Sequence, residues 1–179
     1  MHQIEVKKAL VAQLFPASRG WSVTVDLDAM ELGKGPHGTV AKRAVGLACR
    51  DWFVAHGVAL QPHPRFGRTD IVAEHPRAGI YVLEVEGESS RQPEQALYSA
   101  IGQVLLSMSN LSPRLRYGIA VPDTPVWQRQ VAKLPRAARK RLGLHVYLVS
   151  ERRVVHLTPS APGSNPACSG LASLRSARR

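Results

Sequence analysis

Apolar residues in this chain recur with two periods, one close to a helical turn and one of two residues, and the two patterns alternate along its length. Residues 3–15 place Ile4, Ala9 or Leu10, Val11 and Leu14 at helical spacing before Pro16 and Gly20 break the pattern. Residues 21–27 (WSVTVDL) alternate and are rich in β-branched side chains, which predicts a strand. After a loop at 33–38 (GKGPHG), residues 39–56 carry Val40, Ala44, Val45, Ala48, Trp52 and Phe53 on a second helical pattern that Gly57 stops. A short strand at 58–60 follows. Residues 69–74 and 80–86 then predict two strands joined by a turn at 76–79.

Pro93 suits the first position of a helix whose buried face is Ala96, Leu97, Ala100, Ile101, Val104, Leu105 and Met108. Residues 116–121 read as a buried strand, 126–141 as a basic helix, 144–149 as a further strand and 153–157 as an edge strand. From Thr39 onward the order is helix, three strands, helix, strand, helix, strand. Hairpin-connected strands followed by strands joined through crossover helices give an α/β fold, with a mixed β-sheet flanked by helices. The expected organisation is one domain over 1–158, with 1–38 as an N-terminal helix–strand extension. Residues 159–179, rich in Pro, Ser, Gly, Ala and Arg, read as a disordered basic tail.

Composition narrows the function classes. The 179 residues suit one core-bearing domain, and no apolar run approaches the roughly 18 residues of a membrane span. Residues 1–15 lack the apolar core and cleavage site of a signal peptide, and two distant cysteines form neither a disulfide framework nor a metal-ligand pattern, so a cytoplasmic setting is expected. The formal net charge of +11 favours a polyanionic partner, because neutralising phosphates releases counterions. Oligomeric state stays open, a homodimer included.

The candidate chemistry lies in residues 68–86. In IYVLEVE (80–86), Glu84 and Glu86 point to one face of the strand with Val82, while Tyr81, Leu83 and Val85 point to the other. A hairpin would bring Asp70, at the start of the neighbouring strand, beside Glu84. Clustered carboxylates repel one another unless a cation lies between them, and oxygen ligands of this kind suit Mg²⁺ or Mn²⁺. On the residues alone the alternative is an exposed strand face, its acids paired by Arg68, Arg77 or Arg91. His63 and His75 flank the region without ligand spacing and are expected to be solvent-exposed.

Asp70, a gap of about a dozen residues, then Glu84-Val85-Glu86 resembles the signature of the PD-(D/E)xK nuclease superfamily, which has a restriction-endonuclease-like fold with core order αβββαβ. The likeness extends over roughly residues 39–150. It implies a nuclease acting on DNA (more than RNA) or a catalytically inactive nucleic-acid-binding or regulatory relative. It implies Asp70 and Glu84 as ligands of a catalytic Mg²⁺ or Mn²⁺, with Glu86 where the family usually has the lysine that orients the attacking water. Thr69 stands where the motif name has proline. The lysine is the larger departure, since no lysine occurs between Lys42 and Lys133.

Gln95 or Gln103, with Ser99 on the polar side of the following helix, would contact DNA backbone or the metal site by the same analogy. Arg68, Arg91 and the basic run Arg129, Lys133, Arg136, Arg139, Lys140 and Arg141 suit backbone phosphates. The resemblance also implies a Glu on the first core helix that helps at the metal, a role open to Glu5 only if the N-terminal helix takes that place, against the plainer account of an ordinary first-turn acid.

Overall fold

A computed structural model of the chain describes residues 1–34, 38–88, 92–108 and 112–157. Arg91, the loop centre at 35–37 and the expected tail lie outside the described residues.

Seven strands form one mixed sheet. Along the chain come α1 (Gln3–Leu14), β1 (Ser22–Val25), α2 (Val40–Ala55), β2 (Ala59–Leu60), β3 (Ile71–His75), β4 (Gly79–Val85) and α3 (Pro93–Ser107). They are followed by β5 (Leu115–Pro122), α4 (Pro125–Ala132), α5 (Arg136–Leu142), β6 (Leu144–Val149) and β7 (Val154–Leu157). The spatial order is β2-β1-β3-β4-β5-β6-β7. Strand β3 is antiparallel to β1 and β4, the run β4-β5-β6 is parallel, and β7 returns antiparallel at the edge. The expected mixed sheet flanked by helices is therefore present.

Both faces of the sheet are covered. Leu83 and Val85 join Val25, Ile71 and Tyr147 beneath Ile4, Leu10 and Phe53 of α1 and α2. Val82, Ile119 and Val146 pack instead against Leu97 and Ala100 of α3 and Trp127 of α4. Burial of this apolar area, at roughly 25 cal/mol per Å², drives the assembly.

Several expectations need correction. The three strands after Thr39 are not neighbours, because β1 inserts between β2 and β3. The N-terminal helix and strand thus share the sheet and core with the rest of the chain. The basic helix is two helices, because Pro135 has no N–H to continue the ladder and instead caps α5. The buried face of α2 is Gly46, Cys49 and Phe53, with Val40 89% exposed, so the apolar stripe is rotated from the one the spacing predicts. Leu105 of α3 is also exposed.

No helix among the described residues is long and apolar enough to cross a membrane.

Candidate functional site

The pairing of β3 with β4 sets Ile71 against Leu83 and Val72 against Val82. Continuing that register one step places Asp70 beside Glu84, at the end of the hairpin remote from its turn. Their carboxyls lie within hydrogen-bonding reach of each other. Asp70 is held from several sides: its Oδ2 accepts from the Val85 N–H at 2.8 Å, and Gln3 Nε2 approaches both oxygens at 3.3–3.4 Å. Glu84 is only 7% exposed, which removes the alternative of a solvated strand face. Burial, then the neighbouring Asp70 carboxylate, pushes the Glu84 pKa up to about 8. Two carboxyls can share a hydrogen bond only if one carries a proton, and burial makes Glu84 the one that keeps it.

The remaining partner of Asp70 comes from far away in the sequence. Lys7, fully buried on α1, places Nζ 2.7 Å from Asp70 Oδ1 and 2.8 Å from Glu31 Oε2, and donates to the Asp26 carbonyl at 2.7 Å. Burial opposes its charge, but the Asp70 and Glu31 carboxylates outweigh that and hold its pKa above the usual lysine value. Glu31 is shifted upward as well, because burial exceeds the relief Lys7 gives it. Asp70 is thus the principal counterion of Lys7. The second oxygen of Glu31, Oε1, is buried without a hydrogen-bond partner.

Sequence reasoning did not single out Lys7 or Glu31. A signal for Lys7 was present: it falls with Ile4, Val11 and Leu14 at i, i+3, i+7 and i+10 of α1, a charged residue on the apolar stripe. Two close approaches fix this geometry. A Cβ at Gly46 of α2 would lie 2.6 Å from the Glu31 carbonyl oxygen, and one at Gly87 would collide with the backbone of Gln3. Glycine at each position lets a neighbouring segment reach the site.

Around the pair opens a cleft of ≈ 700 Å³ lined by Asp26, Asp28, Glu31, Asp70, Glu84, Glu86 and Glu88. These are seven of the 13 acidic residues of the chain, gathered in a protein of net charge +11. Arg68 and Lys42 bring positive charge to the rim, Arg68 bound to Asp26 at 3.0 Å. Glu86 lines the same cleft as Glu84 and contributes to its raised pKa. From α3, Ser99 and Gln103 reach the cleft, whereas the exposed Gln95 does not line it.

Arg136, Arg139 and Lys140 lie on α5, which packs on β6 and contributes nothing to the cleft lining. Lys133 pairs with Glu94 of α3 at 3.2 Å. Glu5 accepts from the His2 N–H at 2.7 Å, the ordinary first-turn acid. His63 is buried, contrary to expectation, because its Nδ1 accepts from the Arg65 and Phe66 N–H groups of a tight loop.

Among the described residues no three His, Cys, Asp or Glu side chains converge as a finished metal shell. Asp70 and Glu84 would supply the one or two carboxylates that a hard divalent cation commonly takes from a protein, its other positions being filled by water and phosphate oxygens, once Glu84 gave up its proton. No family model matches the chain, and neither a curated protein nor a solved structure matches it.

Proposed function

We propose that this chain is a metal-dependent nuclease with a restriction-endonuclease-like fold, hydrolysing phosphodiester bonds of DNA in a cytoplasmic setting. The observation that carries the reading is the pairing of buried Glu84 with half-buried Asp70, in a cleft that concentrates the acids of an otherwise basic protein. Such a cleft repels a bare phosphate and attracts a cation. On this reading the helix α1, the antiparallel run β1-β3-β4, the helix α3 and the parallel strand β5 would stand for that fold's core, in place of a core beginning at the helix after Thr39.

Asp70 and Glu84 would hold Mg²⁺ or Mn²⁺, with Glu86 as a further ligand or the base that takes a proton from the attacking water. The ion, when bound, polarises the scissile phosphate and lowers the pKa of its water. Lys7 is a positioning residue: its ammonium and the Val85 N–H fix the two Asp70 oxygens, leaving Glu84 as the carboxyl that would release its proton when the ion binds. It brings a cation to the site although Glu86 stands at the motif's lysine position. Gln103 and Ser99 face the backbone of a substrate lying in the cleft, and Arg68 and Lys42 offset the acids at its rim.

The second reading, a nucleic-acid-binding relative that no longer cuts, is favoured by the same Lys7, which already neutralises Asp70. Calorimetry with Mn²⁺ on wild type and Glu84→Ala, alongside cleavage of plasmid, linear single strands and RNA, separates the two. Mn²⁺ binding that is lost in Glu84→Ala, with DNA cleavage by wild type, supports the nuclease. Absence of both overturns it in favour of the binding relative.

A further inference from the structure

The opposite end of the hairpin carries a surface of different character. His75, the last residue of β3, accepts the Arg77 and Ala78 N–H groups at Nδ1 and reaches the Arg19 carbonyl with Nε2 at 3.1 Å. Arg114 donates to the Pro76 carbonyl at 2.6 Å, and Arg116 donates to that of Ala78. Four arginines, 19, 77, 114 and 116, are thereby gathered around one turn. Among the described residues none of them forms an ion pair with a carboxylate. Arg19, Arg77 and Arg114 are exposed.

A row of rings starts at this turn and runs across the sheet. Trp21 lies 5.0 Å from His75 and 5.5 Å from Tyr81, and the Arg116 guanidinium sits over the Tyr81 ring at 5.1 Å. On β6 and β7, His145 stacks on His156 at 5.0 Å and His156 on Tyr147 at 4.5 Å. His145 Nδ1 and His156 Nε2 share one hydrogen bond of 2.8 Å. Burial, the neighbouring His156 and Arg116 lower the His145 pKa to about 4, and burial and Arg116 lower that of His156 as well, which favours neutral rings at neutral pH. His156 presents an exposed ring on the edge strand.

Flat neutral rings interleaved with unpaired guanidiniums match a strand whose bases are free to stack and whose phosphates repeat beside them. A duplex keeps its bases stacked inside and would use only the arginines. We propose that the face formed by Trp21, Tyr81, His145 and His156, rimmed by Arg77 and Arg114, binds single-stranded DNA. The occupant is chosen by charge complementarity, with the His156 ring exposed and those of Trp21, Tyr81 and His145 half-buried beside it, and the surface stands on residues separate from the acidic cleft.

The test is binding of a labelled oligothymidylate to the full chain in EDTA, where metal chemistry plays no part. Three variants are compared with wild type: His156→Ala, Arg77→Glu and the pair Arg77→Glu/Arg114→Glu. Stacking is worth about 1–3 kcal/mol per base, so His156→Ala is expected to weaken binding about tenfold. The arginine variants are expected to weaken it further and to flatten the salt dependence. Trp21 fluorescence should change on titration, and a duplex of the same length should bind more weakly.

Affinity unchanged in all three variants, or a duplex bound as tightly as the single strand with the same losses, overturns the proposal. Mn²⁺ calorimetry on Arg77→Glu, whose residue is remote from the cleft, is expected to match wild type. Loss of the nuclease reading would therefore leave this result standing, and the reverse.

Discussion

Lys7 Nζ and Asp70 Oδ1 meet at 2.7 Å in a site fully closed to solvent on the lysine side, although one residue lies within the first helix and the other precedes the third strand. The contact ties α1 to the β3–β4 hairpin and sets the orientation of the carboxylate that faces Glu84. Most of what the cleft can do depends on it.

Removing the ammonium should therefore cost more than removing an ordinary ion pair. Lys7→Met leaves Asp70 and Glu31 facing one another with no cation between them, and breaking a buried pair by deleting one partner costs about 3–5 kcal/mol. We expect a clear drop in thermal unfolding temperature, partly recovered by the double variant Lys7→Met/Glu31→Gln. A single variant as stable as wild type would show that the pair contributes nothing net.

The raised pKa of Glu84 makes stability depend on pH in a defined direction. The folded protein holds this proton up to about pH 8, whereas the unfolded chain releases it near 4.5, the ordinary glutamate value. The stabilisation is fully present below the unfolded pKa and is lost as pH rises through the folded one. In metal-free protein, denaturant titrations from pH 5 to 9 should show wild type losing stability relative to Glu84→Gln. Parallel curves for the two proteins would contradict the assignment.

The close approaches at Gly46 and Gly87 should tolerate no side chain. Gly87→Ala would push the start of α1 away from the end of β4 and with it Gln3 from Asp70, and Gly46→Ala would displace the Glu31 segment. We expect both to fold with lowered stability, by about 1–3 kcal/mol as for an overpacked contact, and to weaken Mn²⁺ binding. Gly102→Ala, inside α3 and meeting open space, is the control: it should leave Mn²⁺ binding unchanged and raise stability by about 0.5–1 kcal/mol, the helix preference for alanine.

The two glutamines of α3 should behave differently. Gln103 lines the cleft and Gln95 does not. If the cleft receives a nucleic-acid backbone, Gln103→Ala is expected to lower DNA cleavage about tenfold, the scale of one lost positioning hydrogen bond, while Gln95→Ala leaves it unchanged. Equal effects of the two substitutions on initial rates would argue against this placement of the substrate.

Much of this architecture was legible in the chain. Period-two runs placed β3, β4, β5 and β6 within a residue or two, since each strand presents β-branched or aromatic residues to both packed layers. Proline and glycine marked the boundaries, as Pro93 does at the start of α3. The alternation in residues 80–86, with the short turn before it, sufficed to bring Asp70 and Glu84 together. That juxtaposition is local, decided by the register of one hairpin.

What the sequence could not decide is everything that depends on elements far apart meeting in space. Periodicity says that a face is buried but not against what, so the N-terminal helix and strand read as an extension although β1 lies inside the sheet. Lys7 shows in the sequence only as a charge on an apolar stripe, and its ammonium finds two carboxylates only when α1 docks. The same docking collects seven acids into one cleft and leaves four arginines around the far turn. Local propensity and hairpin register, which act over a few residues, were fixed by the sequence itself. Burial, counterions and the electrostatic character of each surface arise from long-range packing, and only the tertiary structure decided them.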